Sequence, residues 1–155
     1  MQQSSLLAAA SRSGIHTFYY KLCAGYPLRP EEPSIALPSK NLLAATADII
    51  PLEKLRGPGS VYRHLSLPEG LSLNFIIQGR SIVETHFSIE TNGTRHESSF
   101  AILSKELTEF AGTAKHVPPY PRPAFYSLNE LLGILQSFDE LARLLYGSSR
   151  SSPGC

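Results

Sequence analysis

Residues 71–89 constrain the fold more than any other stretch of this chain. Leu71, Leu73, Phe75 and Ile77 alternate with Ser72 and Asn74, the period of two that a strand imposes when one face is buried and the other wet. After Gln78-Gly79-Arg80-Ser81, which suits a hairpin turn, Val83, Phe87 and Ile89 alternate with Glu84, His86 and Ser88. Asn92-Gly93 is a tight-turn dipeptide, because both central positions of such a turn need positive φ. A polar strand then runs from Thr94 to Phe100, and Ser60 to Leu65 reads as a further short strand. The expectation is an α+β fold: a central antiparallel meander of three or four strands over 60–100, flanked by two helices.

The C-terminal helix has the clearest signature. Ser127-Leu128-Asn129-Glu130 reads as a capping box, and Leu128, Leu131, Leu132, Leu135, Phe138, Leu141, Leu144 and Leu145 form one apolar stripe. Gly147 is expected to stop it, with 148–155 as a tail. Upstream, Ser39 is placed to cap a helix carrying Leu42, Leu43, Ala47 and Ile50, limited by Pro51. Leu52 to Leu55 reads as a further turn before Arg56-Gly57-Pro58-Gly59. Ile15 to Leu22 is aromatic and β-branched and predicts a strand. Residues 1–14 read as a loose arm. Ser104 to Phe110 predicts about two helical turns stopped by Gly112, and Val117 to Pro123 a stiff extended spacer. The division is then an arm over 1–14, a single domain over 15–147 with an insert at 101–124, and a tail over 148–155.

Composition removes several function classes. The 155 residues are 42% hydrophobic and 17% charged, enough for a core and too little charge for a disordered chain. A net charge of +1 lacks the basic excess of a nonspecific nucleic-acid binder. No apolar run reaches the ~18–20 residues a bilayer requires, and no basic region precedes Leu6–Ala10 as a secretion signal would need. Two cysteines, Cys23 and Cys155, make no disulfide framework, so a reducing, cytoplasmic compartment is expected. The histidines at 16, 64, 86, 96 and 116 show no paired metal-ligand spacing, no Gly-x-Ser-x-Gly elbow occurs, and Gly57-Pro58-Gly59 lacks the Lys-Ser/Thr of a phosphate loop. No cofactor, metal or catalytic group is expected, and the chain reads as a non-enzyme.

Arg63 is the exception to a bland reading. In the strand Ser60–Leu65 it shares a face with Val61 and Leu65, so it is expected on the apolar side of a central strand. There a guanidinium needs either an internal carboxylate, such as Glu84 or Glu90, or an anionic ligand met by its planar fork. His86, on the polar face of its strand with Glu84 and Ser88, reads by itself as a surface histidine and, with a polar pocket nearby, as a second donor to that anion.

The order of these features resembles the Src-homology-2 domain. Gly59-Ser60-Val61-Tyr62-Arg63 is similar to that family's Arg-bearing strand, one residue short. Leu67 to Phe75, Thr85-His86-Phe87-Ser88-Ile89 and Phe125-Tyr126-Ser127-Leu128-Asn129-Glu130-Leu131-Leu132 are similar to later segments. The resemblance covers roughly 40–136. It departs in having no Trp at the start, no Phe-Leu-Val before Arg63, and extra residues between Phe100 and Ala124. It implies a module that binds a tyrosine-phosphorylated protein or peptide, with Arg63, Ser66 and His86 on the phosphate, no nucleic-acid partner and no membrane insertion. The compartment would be the cytoplasm, that of a host cell if the chain is a bacterial effector. Some bacterial members carry an insert that folds over the phosphotyrosine, a role the resemblance gives to 101–124. The competing reading is a non-catalytic interaction module without a phosphate site, of RWD, small-chaperone or immunity type. Tyr26-Pro27-Leu28-Arg29-Pro30-Glu31-Glu32-Pro33 resembles the proline turn of RWD and ubiquitin-conjugating-like folds, a pattern that departs after residue 40.

Overall fold

The computed structural model describes residues 2–150, with side chains from Ser5 onward. Ten elements follow in chain order: α1 Gln2–Arg12, α2 Ile15–Gly25, α3 Ser39–Thr46, β1 Leu52–Lys54, β2 Ser60–His64, β3 Leu71–Gln78, β4 Ile82–Thr91, β5 Thr94–Ser98, α4 Phe100–Ala111 and α5 Leu128–Arg150. The strands form one antiparallel sheet in the order β1-β2-β3-β4-β5. The α+β class stands, with a fifth strand. Leu52–Lys54 is that strand rather than a helical turn, because Leu52 pairs opposite His64 and buries its side chain.

One face of the sheet carries Tyr62, Leu71, Leu73, Phe75, Val83, Phe87 and Ile89, all buried. α4 and α5 pack on it, and α1 and α2 pack in turn on α4 and α5. Phe138 of α5 is where the layers meet. Its ring lies 6.2 Å from Phe75 of β3, 5.8 Å from Phe100 of α4 and 6.1 Å from Tyr19 of α2. Aromatic pairs at such separations add to their area burial.

The N-terminal expectations are corrected. Residues 2–12 are helical, and Leu6, Ala9 and Ala10 are buried. Ile15 to Leu22 belongs to α2 and is not a strand. Its buried residues are Ile15, Tyr19, Leu22 and Cys23, a helical spacing that packing made decisive over the β-propensity of the aromatics. Gly14, at φ 73°, is the left-handed joint between these two helices.

Within residues 101–124, α4 is part of the core. α4 buries Phe100, Ala101, Leu103, Ser104, Leu107 and Thr108 in the core. Ser99 caps it by accepting the Ile102 N–H at 3.1 Å, and Gly112, at φ 70°, ends it. The proline segment is then stitched down: the Ala124 N–H donates to the Tyr26 carbonyl and the Phe125 N–H to that of Ser81.

Ser127 accepts the Glu130 N–H at 3.1 Å, the first half of a capping box. The Glu130 carboxylate completes no box. It accepts from the Tyr126 N–H at 2.7 Å and from Arg29 at 3.0 and 3.1 Å. Gly133 leaves room for Tyr26, whose hydroxyl would have to shift to admit a Cβ there. Gly147 does not stop α5, which continues to Arg150. A helical glycine costs only about 1 kcal/mol relative to alanine, and buried Leu145 and Ser148 hold the last turns down. Of the expected tail, 148–150 are therefore helical, and 151–155 lie outside the described residues.

Candidate functional site

β2 places Arg63 on the face opposite to the one expected. Tyr62 and His64 are the buried residues of this strand, at 2% and 6% exposure, so the alternation turns Arg63 outward. Its side chain is half exposed and pairs with Glu53, which sits directly opposite on β1. The partner is thus neither Glu84 nor Glu90, and β2 lies next to the edge strand rather than at the centre. The pairing register continues outward from Arg63 to Asn74 on β3 and from Asn74 to His86 on β4. Glu53, Arg63, Asn74 and His86 therefore form one row across the outer face. His86 is exposed, and its Nε2 lies 3.2 Å from the Glu97 carboxylate. Two strand spacings separate Arg63 from His86, about 10 Å.

Ser66 does not join this row. It follows the end of β2, and its N–H donates to His64 Nδ1 at 3.1 Å while its carbonyl accepts from Arg143 Nη2 at 2.8 Å. Those contacts tie it toward α5. The three expected phosphate ligands are split, two on the outer sheet face and one in a loop held to the helix layer.

The polar cluster absent from the sequence reading is His64, Asp139 and Arg143. The His64 side chain is 1% exposed, and its Nε2 lies 2.7 Å from Asp139 Oδ1. Nδ1 already accepts the Ser66 N–H, so the ring proton is on Nε2 and is donated to the carboxylate. Arg143 Nε meets both Asp139 oxygens at 3.1 Å. Both histidine nitrogens are engaged within the chain, which makes this pair a tie between sheet and α5 rather than a base beside a nucleophile. The alternation of Tyr62 and His64 was the available signal; Asp139, far along the chain, gave none.

Cys23 is buried, and burial pushes its thiol up to about 12, against the opposing hydrogen bond from Tyr19. Burial also raises the Tyr19 phenol. A thiol held protonated is a poor nucleophile at neutral pH. Among the described residues, no three His, Cys, Asp or Glu side chains come together as a metal ion would require. No helix among them is long and apolar enough to cross a membrane.

The outer face also carries apolar side chains. Val61 and Ile76 sit directly opposite one another on β2 and β3, both half-buried, with Ile82 at the start of β4. A strip of aliphatic groups thus lies beside the Arg63–Glu53 pair. No protein-family model, curated protein or solved structure matches the chain.

Proposed function

We propose that this chain is a non-catalytic protein-interaction module that presents the outer face of its sheet to a partner protein. One observation carries the reading: the Val61–Ile76 aliphatic pair lies on the face turned away from the helices, beside the Arg63–Glu53 ion pair. Apolar groups among paired charges are the composition of a non-obligate interface. The groups that could have carried chemistry are engaged elsewhere: His64 in its tie to Asp139, Cys23 buried as a thiol. Proximity labelling in cells, comparing the wild-type chain with a Val61→Lys/Ile76→Lys variant of unchanged melting temperature, tests it. Loss of a defined set of labelled proteins is expected, and an identical set from both chains would refute the reading.

Phosphotyrosine recognition is the second reading, and the shared row of Arg63 and His86 on one face favours it. In it the guanidinium leaves Glu53 for a phosphate, His86 contacts the phosphate or phenyl ring, and Ser66 swings in as a third donor. Amide-shift titration with phosphotyrosine, phosphoserine and sulfate separates the two. Phosphotyrosine-selective shifts around Arg63 and His86, lost in Arg63→Lys, would establish the second reading at the expense of the first.

A further inference from the structure

β5 is the outermost strand of the sheet, and among the described residues it pairs with β4 alone. The turn before it decides which of its peptide groups look outward. Asn92 and Gly93 both have positive φ, 52° and 78°, so this is the two-residue hairpin in which the flanking pair, Thr91 and Thr94, exchanges both hydrogen bonds. The ladder alternates from there: Ile89–His96 and Phe87–Ser98 are bonded pairs, whereas Glu90–Arg95 and Ser88–Glu97 are not. The Glu90 N–H agrees, since it turns toward β3 and donates to the Gly70 carbonyl at 2.9 Å. The N–H and C=O groups of Arg95 and Glu97 therefore point away from the sheet.

We infer that this edge is a self-pairing interface, at which two copies of the chain join β5 to β5 about a two-fold axis at His96. Only a register that bonds Arg95 and Glu97 uses the outward groups, so the axis must pass at Arg95, His96 or Glu97. At Arg95 or Glu97 it sets like charge against like. At His96 it sets Arg95 of each copy opposite Glu97 of the other, and each such pair exchanges two main-chain hydrogen bonds. An isologous interface of this kind closes on itself as a dimer. Both side chains are exposed, at 61% and 49%, and the second copy competes with contacts inside the chain: Arg95 Nε donates to Ser88 at 2.7 Å and lies 3.3 Å from Glu97, and Glu97 lies 3.2 Å from His86 Nε2. Edge strands that resist pairing carry proline, bulges or charges that repel a neighbour. The segment Thr94-Arg95-His96-Glu97-Ser98 instead carries two opposite charges spaced to attract a second copy of itself. A groove of about 420 Å³ runs beside the same edge, lined by Leu7, His96, Ile102 and Glu106 among others. Ile102 is 48% exposed there, an apolar shoulder that the second copy covers.

Sedimentation velocity of the full chain at roughly 100 µM, a concentration that populates micromolar dimers, tests the inference. A salt-sensitive dimer is expected. Arg95→Glu or Glu97→Arg alone turns two attractions into two repulsions and weakens the dimer by roughly tenfold or more. The doubly reversed chain, Arg95→Glu/Glu97→Arg, restores it, and mixing the two single variants forms a mixed dimer. Glu97→Pro removes an outward N–H that the monomer does not use, so it gives a monomer of unchanged helix and sheet content. A chain that stays monomeric refutes the inference, as does a dimer indifferent to both reversals. Failure of the doubly reversed chain to recover, with its circular dichroism intact, also refutes it and points to a different strand as the occupant of this edge.

Discussion

Replacing Asp139 by alanine isolates the contact that binds the sheet to the long C-terminal helix. In the native chain His64, 1% exposed at its side chain, donates from Nε2 to Asp139 at 2.7 Å. Alanine leaves that N–H without an acceptor, and an unsatisfied buried donor costs about 1–3 kcal/mol. Asp139 is itself 22% exposed, so solvent can approach the vacated position and the lower half of that range applies. The lost Arg143–Asp139 pair adds little, because Arg143 is 46% exposed and an exposed i,i+4 pair contributes about 0.3–0.5 kcal/mol. The sum is about 2 kcal/mol, or a fall in melting temperature of about 4–8 °C for a chain of this size. Asp139→Asn keeps an oxygen acceptor and should lose less than half as much. Urea unfolding measures both, with the midpoint shifted and the slope unchanged. An Asp139→Ala variant within about 0.5 kcal/mol of wild type, the usual range for a neutral surface change, would show that the His64–Asp139 contact does not hold the sheet to α5. So would ring nitrogen shifts placing the His64 proton on Nδ1.

Burial holds the Glu106 carboxyl above the usual carboxylate range, with Glu109 adding to the effect and Lys105 opposing it. A raised acid favours the fold below its unfolded value and loses that contribution as pH rises through the folded one. Glu106→Gln should therefore raise the melting temperature at pH 7 and converge with wild type near about pH 4; a lower melting temperature at pH 7 would count against it. The buried Cys23 thiol, pushed up to about 12, should resist alkylation at pH 8 in the native chain and react on unfolding. Peptide mapping after iodoacetamide treatment checks this, and rapid native labelling at Cys23 would contradict it.

The meander was legible because its exposed face is polar and its inner face apolar, so β3 and β4 show a clean period of two. α2 was not, because Phe18, Tyr19 and Tyr20 carry strand propensity while the helical spacing of Ile15, Tyr19, Leu22 and Cys23 acquires meaning only once a core exists. β1 is three residues long, too short for any period to show. The outward face of Arg63 was hidden for a sharper reason. Two alternations compete in 61–65, Val61 with Leu65 and Tyr62 with His64, and a one-residue choice moves every side chain to the other face. Histidine hid the true inner face, because its burial depends on Asp139, a partner that sequence proximity cannot reveal. The row linking Arg63 to His86 depends on two pairing registers, which follow from hairpin geometry rather than from composition.

In the proposed interaction module the outer sheet face meets a protein surface, and Arg63 stays with Glu53 rather than being held for a phosphate. Calorimetric titration of a phosphotyrosine peptide into wild type and into Glu53→Gln tests it most directly, because the substitution frees the guanidinium while keeping the shape of its neighbour. Neither chain should bind the phosphorylated peptide more tightly than its unphosphorylated form. Selective binding by wild type, or its appearance in Glu53→Gln and loss on adding Arg63→Lys, would show that Arg63 serves a phosphate instead.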